Sequence, residues 1–253
     1  MNIMDLLPAG EPVLFVSPHL DDAVLSCGAL MAAVADRCPT VVATVFTAAG
    51  SPPHTYAARR FLRDGGGGSA QTLYQTRRHE DTEVLSQLDA EPLHLGFPDA
   101  LFRRRRFPAG AALVLPELAH RYPTYRYDIA RGRVARGDRP MIADIVTAMS
   151  AAAARARVIF CPLGVGRHVD HLITREVGTR FPERVVYYSD FPYDQTSAPD
   201  RGFVARHRLT SWKWDVGIAE KARLIRGYRS QADGLFPGGV IPAAPEVYWS
   251  AGR

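Results

Sequence analysis

A chain of 253 residues, 47% apolar and 23% charged, is long enough for one sizeable buried core and has the make-up of an ordinary globular protein, which excludes disordered and fibrous classes. No apolar run is long enough for a membrane helix, and Met1-Asn-Ile-Met-Asp-Leu-Leu7 lacks the basic start and long apolar stretch of a secretory signal, so a cytoplasmic protein is expected. The formal net charge of +5 invites nucleic acid or an anionic substrate; yet Lys213 and Lys221 are the only lysines, and a composition rich in Arg, Ala, Gly and Pro accounts for the excess as drift.

The apolar run Val13–Val16 predicts a buried strand, and the pattern from Asp22 to about Asp36 a helix. With a second strand at Thr40–Thr47 this is a βαβ start. It predicts an α/β fold with a doubly wound, mostly parallel sheet of the Rossmann-like kind, as a single domain over residues 1–253. Gly50 through Gly65-Gly-Gly-Gly68 reads as a mobile loop, Arg77–Leu88 as a helix with Val84, Leu85 and Leu88 on one face, and Pro92–Phe97 as a short strand. Periodicity fades between Phe102 and Arg139, and so long a stretch inside a compact α/β unit is expected to be a lid or substrate loop at about 102–139. An Ala-rich helix, Met141–Arg155, leads into a strand at Val158–Cys161. A helix follows His171, then a strand at Val185–Ser189 and a helix at Ala219–Tyr228. Cys27, Cys38 and Cys161 lack metal-type spacing and read as buried thiols in a reducing compartment.

Two stretches carry chemistry. The first strand opens at Ser17-Pro18 onto a turn with His19, Asp21 and Asp22; the strand Val158–Cys161 opens onto a loop with His168, Asp170 and His171. Strand-to-helix turns are where open α/β sheets place their ligands. A hydrolytic zinc site needs three protein ligands and an open position. His19, one of the two aspartates and a histidine of the second loop supply the three. The remaining aspartate suits a general base, and the remaining histidine suits an oxyanion or the leaving amine. The mixed donor set accepts Zn2+ or another divalent metal.

The two motifs resemble those of the PIG-L/LmbE family of zinc-dependent N-acetylglucosaminyl deacetylases and related amidases. The family's His-Pro-Asp-Asp-Glu stands here as His19-Leu20-Asp21-Asp22-Ala23, and its His-Pro-Asp-His as His168-Val169-Asp170-His171. Arg77-Arg-His-Glu80, Leu95-Gly-Phe-Pro-Asp99, Glu220-Lys221 and Tyr228-Arg-Ser-Gln231 are weaker echoes that extend the resemblance over most of the chain. It implies that His19, Asp22 and His171 bind zinc and that Asp21 is the general base. It further implies that His168 faces the tetrahedral intermediate and that Asp170 orients a neighbouring histidine. Leu20 and Val169 replace prolines and Ala23 replaces a glutamate, while the implied ligands are all present. The implied activity is removal of an N-acyl group from a small-molecule amino sugar or an amino-sugar-containing metabolite. A metal-dependent amidase acting on a thiol conjugate or a natural-product intermediate is the alternative.

Plainer readings stand beside these. Asp22 and Asp170 are each also suited to capping the helix that follows. Arg103, Arg104, Arg105 and Arg106 are candidates to grip an anionic group of the substrate, against the commoner outcome of a solvated charge run. Tyr122, Tyr125 and Tyr127 suit a sugar pocket or packing of the loop. Gly65–Gly68 lacks the Lys-Ser/Thr of a phosphate loop, whereas Gly164 and Gly166 suit a tight turn past the metal. His54, His79, His94, His120 and His207 lack paired spacing and read as ordinary residues. A non-catalytic nucleic-acid binder built on the arginines leaves both His/Asp clusters without a purpose, so neither nucleic acid nor membrane is expected as a partner. The sequence leaves the oligomeric state open, a homo-oligomer included.

Overall fold

Alternate residues of the first strand enter opposite halves of the core. In β1 (Val13–Ser17), Val13 and Phe15 join one apolar cluster and Leu14 and Val16 another, and every residue is buried. A strand buried on both faces needs such a continuous apolar run. The computed structural model describes residues 3–105 and 115–252. After β1 come α1 (Asp22–Val34), β2 (Thr40–Thr44), α2 (Tyr56–Asp64), α3 (Ala70–Ser86) and β3 (Ala90–His94). The second half runs through α4 (Arg139–Ala148), α5 (Ser150–Arg155), β4 (Val158–Pro162), α6 (Val169–Gly178), β5 (Val185–Tyr188), α7 (Arg201–Arg206) and β6 (Leu209–Trp214). It closes with α8 (Ile218–Ile225), α9 (Arg229–Leu235) and β7 (Glu246–Ala251).

The strands form one sheet in the order β3-β2-β1-β4-β5-β7-β6, parallel from β3 to β5, with β7 antiparallel to both its neighbours. The expected doubly wound, mostly parallel α/β sheet is therefore present. One core half packs α1, α3 and α8 on the sheet; the other packs α4, α5 and α6. Phe15 and Phe160 stack between the central strands with ring centroids 4.5 Å apart. The chain winds from β1 outward to β2 and β3, then returns to lay β4 on the other side of β1. That reversal leaves a crevice at the carboxyl ends of β1 and β4, where a doubly wound sheet binds its ligand.

Several elements differ from their sequence reading. Residues Tyr56–Asp64 of the expected loop are helical: Thr55 caps the helix by accepting from the Ala58 amide, and Ala58 and Leu62 are buried. The Ala-rich helix breaks at Met149 into α4 and α5. The region around Tyr228 holds two helices, α8 and α9. Strand β6 is mostly uncovered because it lies at the sheet's edge, whereas β7, between β5 and β6, alternates buried with less covered residues. Among the described residues no helix is long and apolar enough to cross a membrane.

β7 contributes a buried charge that fixes α1. Glu246 accepts hydrogen bonds from the amides of Ala29 (2.8 Å) and Leu30 (3.0 Å) and from the Tyr248 hydroxyl (2.8 Å). Its carboxylate lies 3.7 Å from Lys221 Nζ, itself 4.4 Å from the Phe191 ring centre. Removing one partner leaves a buried charge unmatched. Glu246→Ala is expected to lower unfolding free energy by about 3–5 kcal/mol in urea titrations, and Glu246→Gln by clearly less. Equal losses from both would mean that the charge of Glu246 is not what matters.

Candidate active site

The first turn is locked by short-range bonds. Ser17 at the end of β1 donates from Oγ to the His19 carbonyl (2.6 Å) and accepts from the Ala23 amide (3.0 Å). The backbone amide of His19 donates to Asp22 Oδ2 at 2.9 Å. Asp21 stands at the N-cap of α1 without capping it, which leaves its carboxylate facing the crevice. Asp22, read from sequence as a possible cap, is the first residue of α1.

The second loop leaves β4 through Gly164 and Gly166, both left-handed (φ +77° and +82°). At Gly166 a Cβ would come within 2.9 Å of the Tyr193 side chain, so glycine is required for conformation and space together. His168 caps α6, its Nδ1 accepting from the Asp170 amide at 3.3 Å. Asp170 and His171 follow within the first turn of α6 and are fully buried.

The two loops meet on one oxygen. Asp22 Oδ2 lies 3.0 Å from His19 Nδ1 and 3.3 Å from His171 Nε2. The ring centres of His19, His168 and His171 are 5.0–5.3 Å apart. Ligands bound at about 2.0–2.1 Å in a tetrahedron stand roughly 3.3 Å from one another; both separations from Asp22 Oδ2 suit such a donor set, and the three residues offer ligand atoms within 4.8 Å of one another. Behind each histidine stands a second carboxylate. His19 Nε2 is 3.1 Å from Asp170 Oδ2, and His171 Nδ1 is 2.6 Å from Asp190 Oδ1, whose other oxygen accepts from the Val165 amide (2.7 Å). A carboxylate on the far nitrogen fixes the tautomer that presents a lone pair to a metal.

A second group within coordinating distance, His19, His168 and Asp170, shares one histidine. It suits a metal less well, because both oxygens of Asp170 are occupied: Oδ1 pairs with Arg103 Nη2 and Oδ2 accepts from the Ala100 amide at 3.0 Å. Asp170 therefore serves His19, and Asp190, unremarked in the sequence, serves His171. Asp190 lies just past Ser189 at the end of β5, so a third strand-end carboxylate was the signal that could have found it.

Charge and burial divide the remaining roles. Burial and the neighbouring charge of Asp22 push the Asp21 carboxyl up to about 6, against the pull of Arg77, whose Nη2 is 3.7 Å away. Burial opposes the charge on Asp22, but His171 and His19 hold its carboxyl well below the usual range. Burial, reinforced by the neighbouring His19 and His171 rings, pushes the His168 imidazole well below its usual range and favours its neutral form. A neutral His168 with Nδ1 accepting carries its proton on Nε2, a donor in the crevice. The crevice encloses about 130 Å³, and Arg77, Asp99, Tyr125, Tyr193 and Gln231 also line it. A wider groove of about 650 Å³ adjoins it, sharing Phe61 and Tyr125 and adding Tyr56 and Tyr127.

The arginine run does not act as a unit. Arg103 is buried and paired with Asp170 and Asp138 (3.2 Å), so it is neither a solvated charge nor free to hold substrate. Arg104 is exposed and donates to the Ser51 and Pro53 carbonyls; Arg105 is exposed and donates to the Arg121 carbonyl; Arg106 lies outside the described residues. Glu80, from one of the weaker echoes, binds the amide and hydroxyl of Ser230 and so ties α3 to α9. His54, His79, His94, His120 and His207 stand outside both donor groups.

Residues 14–181 match the PIG-L family of GlcNAc-PI de-N-acetylases. The chain belongs to this family. It is 33% identical to a 2'-N-acetylparomamine deacetylase of Streptomyces fradiae over 235 residues, covering 87% of this chain and 73% of the relative. It is 25% identical to a protein of the same description from Niallia circulans, over 93% of this chain and 89% of the relative. Its fold superposes on a deacetylase of the teicoplanin biosynthesis pathway with a TM-score of 0.71 at 23% identity, covering 94% and 96% of the two chains. The protein is accordingly a hydrolase of amide C–N bonds, a deacetylase, and the nucleic-acid-binding alternative lapses.

The backing carboxylates give a direct test of the donor geometry. Asp190→Asn keeps the shape and removes the charge behind His171, and is expected to weaken metal binding about 10–100-fold in a competition titration with a chromogenic chelator. Unchanged affinity would remove His171 from the donor set.

Proposed function

We propose that the protein is a zinc-dependent deacetylase that hydrolyses the N-acyl amide of an amino sugar carried in a larger metabolite. The observation that carries this reading is the convergence of His19 Nδ1 and His171 Nε2 on Asp22 Oδ2, each histidine with its own carboxylate behind it. A divalent metal held by these three residues would supply Lewis-acid chemistry, polarising the amide carbonyl and easing deprotonation of water. Asp21 takes the proton of the attacking water and passes it to the departing amine; its burial favours accepting that proton. His168 donates its Nε2 proton in a hydrogen bond to the developing oxyanion. Arg77, with its Nε unpartnered among the described residues, and Asp99 offer polar contacts to the sugar.

The catalytic crevice is smaller than the roughly 300–1,000 Å³ of a typical ligand site, so it suits the reacting end of the substrate alone. The aromatic groove beside it suits further rings of the same molecule, stacked on Tyr56, Phe61, Tyr125 and Tyr127. The relatives that act on 2'-N-acetylparomamine support an amino-sugar amide within a glycoside.

Purified protein is expected to hold about one zinc per chain and to release the acyl group from N-acyl amino-sugar glycosides; His19→Ala is expected to lose both. Metal retained in that variant would overturn the donor assignment. Asp21→Asn is expected to keep the metal while kcat falls about 10²–10⁴-fold. Tyr127→Ala, at a residue that lines the groove but not the crevice, is expected to raise KM about tenfold for an aryl glycoside of N-acetylglucosamine, but not for the free sugar. Equal effects on both would place the groove outside the substrate path.

A further inference from the structure

The segment Phe102–Arg139 begins and ends on one buried cluster. Arg103, at its start, is 3% exposed, and its guanidinium carbon lies 4.9 Å from the Phe46 ring centre and 5.2 Å from that of Tyr122. Its Nη1 donates to Asp138 Oδ2 at 3.2 Å, and its Nη2 pairs with Asp170 Oδ1. Asp138, at the segment's other end, also accepts from the Tyr122 hydroxyl (2.6 Å) and pairs with Arg121 Nε (3.0 Å). Tyr122 in turn accepts from the Ala135 amide at 3.0 Å. One planar guanidinium thus joins both ends of the segment to the carboxylate behind His19.

We propose that Arg103 is a positioning residue for the metal centre: through Asp170 it holds the His19 ring in the orientation that presents Nδ1 beside Asp22. The inference rests on the metal reading above. Two features make the arginine specific. Its two terminal nitrogens serve two carboxylates at once, a fork that a lysine ammonium reproduces poorly. Asp170 is fully buried, and without Arg103 its carboxylate keeps, among the described residues, only the Ala100 amide and the His19 ring. A carboxylate free to turn no longer fixes the imidazole it touches. The segment expected to cover substrate is then also part of what retains the metal, because its folding sets the place of Arg103.

The test is zinc affinity, measured on metal-free protein by competition with a chromogenic chelator, for Arg103→Met, Arg103→Lys, Asp170→Asn and the double variant Arg103→Met/Asp170→Asn. Circular dichroism first establishes which variants are folded. Arg103→Met is expected to bind zinc about 10–100-fold more weakly, Arg103→Lys to fall between it and the wild type, and the double variant to match Asp170→Asn alone. Arg184→Ala, which removes bonds to the Ala153 and Ala156 carbonyls before β5, is expected to leave zinc affinity unchanged. Wild-type affinity in a folded Arg103→Met or Arg103→Lys would overturn the proposal, as would losses that multiply in the double variant. Should Arg103→Met not fold, Arg103→Lys decides. Absence of stoichiometric zinc from the wild type would instead overturn the metal reading.

Discussion

Asp22 Oδ2 is the atom on which the rest of the site depends. It accepts the His19 amide and faces one imidazole nitrogen from each loop. Asp21, Asp99, Asp170 and Asp190 are buried around it. Such a concentration of acid in a low-dielectric crevice requires cations, and the chain provides Arg77, Arg103 and the histidines. A divalent ion held by His19, Asp22 and His171, as proposed, would complete the balance with donors that suit it. The fold makes this convergence by reversing direction at β1, so that His19 and Asp170, 151 residues apart in sequence, meet in one crevice.

The same constraint divides labour between the two adjacent aspartates. Asp22 is turned inward and held charged by the histidines, whereas Asp21 is turned to the crevice with Arg77 as its cationic neighbour. Environment, not residue type, separates the proposed donor from the proposed base. His168 is distinct from the other two histidines for a comparable reason: its Nδ1 is taken by the cap of α6, and among the described residues no carboxylate bonds its ring.

Much of this was legible in the chain. Apolar runs opening onto turns with His and Asp marked the ends of β1 and β4, because strand interiors and strand ends obey different physical demands. The deacetylase family was legible from His19-Leu20-Asp21-Asp22 and His168-Val169-Asp170-His171. Less legible was anything created only by packing. Asp190 lacks a local motif, and its position behind His171 exists only once β5 lies beside β4. Arg103 looked like one of four equivalent arginines, and only the burial of its side chain between Phe46 and Tyr122 separates it from Arg104 and Arg105. Helix α2 was hidden by the glycines and prolines that flank it, although Thr55 and Gly65 mark its ends. Strand β6 was hidden by its place at the sheet's edge, where most of its residues stay uncovered.

The most direct measurement is anomalous diffraction at the zinc edge from crystals of the zinc-loaded protein. A single strong peak at bonding distance from His19 Nδ1, Asp22 Oδ2 and His171 Nε2, with Asp170 and Asp190 outside the coordination sphere, is the predicted result. A peak between His19 Nε2, His168 and Asp170 would contradict it, and with it the assignment of Asp170 and Arg103 as supports of the metal centre.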